Sequence, residues 1–354
     1  VTVLYIASTD EYSGKTGVCL SLGLELQKRG KKVGFMKPLG SVPGVVDGQT
    51  VDLDAYYITK RLDTKDNVQD ASPIALTRQY IQEQMKHNKK CAMDIITDSF
   101  SRIVQGKDVV VMENGKDVDE GRFICASAPE IAETFDAKVL LVSKYTSELI
   151  VDDILGAKNV LGEHLLGVIF NQVPMSQLQT LEAIKTFLKG EGIKTYGSIP
   201  RDRILQSVTV KELADHLNGT ILTAAGKTDE LVENFMVGAM GQERALRFFQ
   251  RVPNKAVITG GDRSDVQLAA LETQTKALIL TGNLQPSPIV MARAEDLQIP
   301  MILVNLDTLA AVEKTDEIVG RVRIHQAQKV QRFVELIEEN IDLDSLFNDA
   351  GINI

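Results

Sequence analysis

The residues best suited to chemistry stand together near the amino terminus, in the run Ser8-Thr9-Asp10-Glu11-Tyr12-Ser13-Gly14-Lys15-Thr16. A strand-like apolar segment, residues 3–7, comes directly before them, and a segment of helical period, residues 15–29, follows directly. Successive backbone N–H groups at a strand-to-helix turn make an anion cradle, and the positive end of the helix adds to it, so a β-phosphate can sit there. Gly14 permits the close backbone approach that a Cβ would block. Lys15 should reach the β and γ phosphates, and the Thr16 hydroxyl is placed to ligate magnesium. The stretch Asp10, Glu11, Tyr12, Ser13, Gly14, Lys15, Thr16 and Gly17 is therefore expected to hold a nucleotide. Ser8 stands where such a loop expects its first glycine.

Further candidates fall at the carboxyl ends of strand-like runs, the edge at which open α/β sheets bind ligands. Lys37, followed by Pro38, ends residues 32–36 and would either face a ligand or form an ion pair. Asp54, with Asp52 beside it, and Glu113, which ends the apolar run of residues 109–112, would supply magnesium with carboxylates or cap helices. Asn171, closing residues 165–170, could hydrogen-bond a purine edge or simply form a turn.

The elements that must position these groups alternate along residues 1–200. Strand-like runs at 3–7, 32–36, 108–112, 138–142, 165–171 and 195–199 are separated mostly by helical stretches, which predicts a parallel sheet with helices on both faces. Residues 77–105 break the alternation and read as two consecutive helices. Past Pro200 a second, smaller α/β unit is expected, with strands at 256–259, 277–281 and 301–305 and helices at 210–217, 266–271 and 289–297. The expected boundaries are 1–206 for the first domain, 207–340 for the second, which includes a final helix at 326–340, and 341–354 for an acidic tail. Glu335, Glu338, Glu339, Asp342, Asp344 and Asp349 have no basic residue among them, and this end is expected to be solvated or loosely docked.

Composition narrows the functions. The 354 residues are enough for roughly two domains at about 100–200 residues each. With 39 Lys and Arg against 48 Asp and Glu, net charge −9, nonspecific attraction to nucleic acid or anionic lipid is not expected to drive function. Cys19, Cys91 and Cys125 fall at no zinc or redox spacing, which fits a reducing cytoplasm. No apolar run approaches the ~20 residues that cross a bilayer. The four histidines, His87, His164, His216 and His325, make no recognisable nucleophilic constellation and are expected on helix or turn surfaces.

With these residues in view, the first ~200 positions resemble dethiobiotin synthetase and the related amino-terminal domain of large phosphotransacetylases. The matching stretches are Ser8 to Thr16, Lys37-Pro38 with Ser41, Asp54 before a helix, Glu113 after V-V-V-M, Asn171 in V-I-F-N-Q-V-P, and G-S-I-P ending at Pro200. The resemblance implies a seven-stranded parallel P-loop sheet in which Lys15, Thr16, Asp54 and Glu113 hold MgATP. It also implies that Lys37 and Ser41 face the substrate and that Asn171 reads adenine, with Pro200 beside the nucleotide. Where the synthetase has a glycine-rich turn after its glutamate, this chain has Glu113-Asn114-Gly115-Lys116-Asp117, a change of bulk and charge beside the γ-phosphate pocket.

The second half resembles the DRTGG domain, through Gly261-Asp262-Arg263 and Thr281-Gly282-Asn283. Asp262, Arg263, Thr281 and Gly282 would form an effector site or a structural Asp and Arg network, and the resemblance implies a homodimer. Acetyl transfer to phosphate is not expected of this chain. The function expected is therefore a MgATP-binding regulatory or sensing protein, with slow hydrolysis and a protein partner within its scope. The alternative is an ATP-dependent ligase or carboxylase acting on a small metabolite, with Lys15 and Lys37 catalytic.

Overall fold

The computed structural model describes residues 1–86, 91–318 and 324–353. They divide into two compact units, Val1–Arg201 with Ile324–Ile354, and Asp202–Arg323.

In the first unit the chain runs β1 (Thr2–Ser8), α1 (Lys15–Lys28), β2 (Val33–Met36) and, after a short hairpin, α2 (Leu53–Arg61). The expected helical pair follows as α3 (Arg78–Lys86) and α4 (Met93–Ile103). Residues 87–90 between them, with the expected surface position of His87, lie outside the described residues. Then come β3 (Val109–Glu113), α5 (Ala128–Thr134), β4 (Lys138–Lys144), α6 (Ile150–Leu161), β5 (Leu165–Val173), α7 (Leu178–Gly190) and β6 (Thr195–Pro200).

The six expected strands form one sheet in the order β6-β5-β4-β1-β3-β2, paired in parallel throughout. The described residues thus give a six-stranded central sheet where the resemblance implied seven. Strands buried on both faces need no polar alternation, which is why β3 reads as an unbroken apolar run and is buried over its whole length. From β1 the chain goes first to β2 on one side and later to β4, β5 and β6 on the other. This reversal of strand order leaves a crevice at the carboxyl ends of β1 and β3, and Ile6 pairs there with Glu113.

The second unit contains α8 (Val210–His216), β7 (Thr220–Ile221), β8 (Asn234–Val237), α9 (Gln242–Phe249), β9 (Lys255–Gly260), α10 (Ser264–Leu271), β10 (Thr275–Thr281), α11 (Pro288–Asp296), β11 (Met301–Leu303) and α12 (Thr308–Ile318). Thr209 and Glu212 start α8 with reciprocal hydrogen bonds, a capping box. The sheet order is β7-β11-β10-β9-β8, parallel except at β7. One apolar core lies with α8 and α12, the other with α9, α10 and α11. Among the described residues of the chain, no helix is long and apolar enough to cross a membrane.

The carboxyl-terminal stretch departs from expectation. The helix α13 (Ala327–Asn340) and the following α14 (Leu343–Asp349) belong to the first unit, not to the second domain or to a loose tail. The physical reason is an apolar stripe: Val330, Phe333, Leu336, Ile337, Leu346 and Phe347 are all buried. The α13 helix packs along α1 and β6, and α14 packs on β6. The acids that looked unpartnered in sequence find bases far away along the chain. Glu338 meets Lys28 at 3.0 Å and Asp344 meets Arg29 at 2.5 Å, while Asp349 pairs with Lys194 and accepts from the Tyr196 hydroxyl at 2.9 Å.

Gly197 makes this docking close. Its φ is +147°, and a Cβ there would stand 2.1 Å from the Asn340 carbonyl oxygen, which is backbone and cannot swing aside. We expect Gly197→Ala to cost on the order of 2 kcal/mol and to loosen α13 and α14 first. Hydrogen exchange should show faster exchange in residues 330–350, and exchange as slow as in the unaltered protein would contradict this packing.

Candidate nucleotide-binding site

The loop between β1 and α1 is built so that its donors stay open. Gly14, at φ +92°, turns the chain into α1. Val18 is the first amide to close a bond at this end, to the Gly14 carbonyl at 3.1 Å, which leaves the amides of Lys15, Thr16 and Gly17 as the helix's open donors. Tyr12 has φ +53° and is half exposed, and Asp10 is exposed. Glu11 lies 3.7 Å from the Lys116 ammonium at the surface.

Lys15 is buried and folds back on the loop, donating to Ser8 Oγ at 2.5 Å and to the Lys116 carbonyl at 3.0 Å. Ser8, unexpected at a glycine position, is thus a partner of the loop lysine. The altered turn after Glu113 supplies the other partner. That turn is closed by its own Glu120, which accepts from the Lys116 amide at 2.6 Å, and a Cβ on Gly115 would strike the same carboxylate at 1.7 Å. Burial pushes the Lys15 ammonium down to about 8, against the pull of Glu113.

Beside the loop, Thr16 Oγ1 donates to Glu113 Oε1 at 2.7 Å. Lys37 does not project free from the sheet edge: it is 2% exposed and lies 3.2 Å from Asp52, 3.3 Å from Asp54 and 3.6 Å from Glu113. Burial opposes its charge, but Glu113, Asp52 and Asp54 outweigh burial and hold the ammonium above its ordinary range. Burial pushes the Glu113 carboxyl up, opposed by Lys37. Asp52 also caps α2, accepting from the Ala55 amide at 2.9 Å, and accepts from Val42 at 2.8 Å.

Asn171, which the resemblance implied reads adenine, lies against the loop. Its Nδ2 donates to the Ser13 carbonyl at 2.7 Å and its Oδ1 accepts from the Gln172 amide at 2.8 Å, so both ends of the amide serve the loop and the turn. Ser41 is exposed beyond the short strand Leu39–Gly40, and Pro200 ends β6 opposite Val173. One residue that sequence reasoning set aside joins the cluster. His325, expected at a surface, puts Nε2 3.1 Å from Asp54 Oδ1 and stacks on Tyr57 with ring centroids 4.4 Å apart. No local signal could have paired it with a residue 271 positions away.

The donor set suits a phosphate group and its cation. Among the described residues, Ser13 Oγ and Glu113 Oε2 are buried without a hydrogen-bond partner, near the open amides of residues 15–17. Asp52, Asp54 and Glu113 stand around the ammonium of Lys37. No three His, Cys, Asp or Glu side chains among the described residues converge as a metal cage. Magnesium does not require one, since it keeps several waters and takes one or two carboxylates beside phosphate oxygens.

Residues 2–209 match the family model of an AAA domain, and residues 212–318 match that of the DRTGG domain. The chain belongs to the AAA domain family. Its dethiobiotin synthetase-like P-loop domain is followed by a DRTGG domain, an architecture that it shares with phosphotransacetylases. The phosphate acetyltransferase of Synechocystis sp. is 23% identical over 366 residues, covering 98% of this chain and 51% of the relative. That of Nitratidesulfovibrio vulgaris is 24% identical over 370 residues, covering 97% and 51%. The chain thus spans about half the length of the curated relatives it matches.

Among solved structures, it is similar to a nucleotide-binding protein in complex with ADP from Archaeoglobus fulgidus, at 13% identity and a TM-score of 0.32, covering 57% of this chain and 82% of that one. It is also similar to the CBS and DRTGG domains of the regulatory region of Clostridium perfringens pyrophosphatase, complexed with the activator diadenosine tetraphosphate. There the identity is 16% and the TM-score 0.30, covering 40% of this chain and 70% of that one.

In the DRTGG domain the naming residues meet at the carboxyl edge of β9 and β10. Arg263 is engaged with Asp265 through two contacts, at 3.0 and 3.1 Å, and with the Met240 carbonyl at 3.0 Å. Thr281 is buried, its hydroxyl 2.9 Å from that of Thr308. Gly282, at φ +79°, turns the chain and donates to the Leu306 carbonyl at 2.7 Å. Asp262 is exposed. Arg263 and Thr281 thus make contacts within the domain.

Proposed function

We propose that this chain binds MgATP on its AAA domain and acts as a nucleotide-dependent regulatory protein, binding or slow hydrolysis biasing its DRTGG domain or a partner. The observation that carries the reading is the meeting, at one strand-to-helix turn, of open amides, the Lys15 ammonium and unpartnered polar atoms of Ser13 and Glu113. In this reading Lys15 leaves Ser8 and Lys116 for the phosphates, and Thr16 with Glu113 and Asp54 holds magnesium, directly or through water. Bound magnesium would neutralise phosphate charge and bridge phosphate oxygens. Lys37 lies between Asp54 and Glu113 and opposes the cost of burying the Glu113 charge. Regulation then requires that nucleotide bind two arrangements of the chain with different affinity.

The turn after Glu113 is closed by Glu120 on the Lys116 amide in place of the synthetase's glycine-rich turn, and this change supports the regulatory reading over the ligase one. The acetyltransferase activity of the relatives is not carried over to a chain that spans half their length.

Isothermal titration with MgATP tests the proposal. Lys15→Ala should weaken binding by about thirty- to a hundredfold, the scale of a lost charge-assisted phosphate contact of roughly 2–3 kcal/mol. Equal affinity in the variant would remove Lys15 from the site. No heat and no thermal shift at millimolar MgATP would remove the reading itself.

A further inference from the structure

The first turn of α1 is covered by the chain's own returning segment. A Cβ on Gly17 would stand 2.5 Å from Ile324 Cδ1 and 3.0 Å from the Phe333 ring, and Gly17 is buried although its amide is one of the helix's three open donors. The Phe333 ring also reaches Gly14, at 3.8 Å from where a Cβ would lie. One residue on from Ile324, His325 sits over α2, stacked on Tyr57 and bonded to Asp54 at 3.1 Å. Both α2 and α13 pack against α1. Residues 324 and 325 therefore run from the start of α13, across the opening turn of α1, to the start of α2.

That path touches two things that a bound nucleotide needs. An anion at a helix start draws on the first-turn amides, of which Gly17 is the third here. A divalent cation beside it draws on carboxylates, and Asp54 is one of those in reach of the loop.

We propose that Ile324 and His325 form an autoinhibitory strap, which competes with nucleotide for the Gly17 side of the phosphate loop and for Asp54. The proposal rests on the nucleotide-binding reading above and adds the control of that site. Ile324 contributes by excluding water and ligand from the helix start, and His325 by engaging the carboxylate. The first unit resumes at Ile324, so the strap is the first part of that unit that the chain reaches on leaving the second.

The test compares the full chain with the double variant Ile324→Ala, His325→Ala, by titration calorimetry and by the association rate of a fluorescent ATP analogue with magnesium. The expected result is at least tenfold tighter binding by the variant, with most of the gain in association rate. His325→Asn, which can still hydrogen-bond Asp54, should lie between the two. Equal or weaker binding by the double variant, while the unaltered chain binds MgATP, overturns the strap and leaves the nucleotide site standing. No binding by either overturns both. Should the double variant not fold, as judged by circular dichroism, hydrogen exchange on the unaltered chain decides instead. Saturating MgATP should accelerate exchange of the amides at 324–333, and unchanged exchange there overturns the proposal.

Discussion

Lys37→Met is expected to destabilise the AAA domain by about 3–5 kcal/mol at pH 7.5, the cost of removing one member of a buried ion cluster and leaving its partners uncompensated. The ammonium is almost wholly buried among Asp52, Asp54 and Glu113, so methionine, which fills similar space, would leave these carboxyl groups without the cation between them. The pH dependence separates this cause from a packing defect. In the unaltered protein the Lys37 pKa is raised on folding, so its contribution is fully present below the pKa of a free lysine and is lost only as pH rises through the higher folded value. In the variant Glu113, whose carboxyl burial already pushes up, loses the opposing pull of Lys37. The penalty of its buried charge grows as pH rises and shrinks as it protonates. The deficit at pH 5.5 should therefore be clearly smaller than at pH 7.5. Amide exchange of β1 and β3 reports this unit separately. A loss under about 1 kcal/mol, or one that is the same at both pH values, would mean that the cluster is not electrostatically coupled as described.

The opposite sign is expected in the DRTGG domain. Lys255, at the start of β9, is 0% exposed, and the partner of its ammonium is the Gln274 carbonyl at 3.2 Å, with the Phe249 ring 5.9 Å away. Burial pushes the ammonium down to about 8. A lysine whose folded pKa lies below its unfolded value makes the unfolded state the better proton binder between the two, so stability rises with pH from about 8 to about 10.5. Lys255→Met should remove that penalty and stabilise the domain by about 2–3 kcal/mol at pH 7. The gain should fade toward pH 10, where the unaltered lysine is already neutral. Thermal unfolding at pH 7 and pH 10 checks both statements, and a variant that melts lower at pH 7 would refute them.

Much of the nucleotide site is legible in sequence because its signals are local. A strand, a turn and a helix in succession place Gly14, Lys15 and Thr16 without reference to the rest of the chain, and parallel strands announce themselves as continuous apolar runs. What stays hidden depends on pairing across long stretches. The contact of the Asn171 amide with Ser13, 158 positions away, has no local signal. The short strand β8 carries too few residues for a period to show. The acids of α13 and α14 look unpaired until Lys28, Arg29 and Lys194 are brought beside them. His325 has no neighbour in sequence that marks it, and its meaning comes wholly from Asp54 and Tyr57.

The split of the first unit around the second bears on how the protein is made. A ribosome that has released residues 1–201 has delivered all six strands of the central sheet, but not the two helices that cover α1 and β6. Until residues 327–349 have been made, that apolar surface lacks this cover, whereas residues 202–318 emerge as an unbroken stretch that can close on itself. The earlier-born unit is thus the later to be finished, and an arrested or truncated nascent chain would present the surface most prone to aggregate.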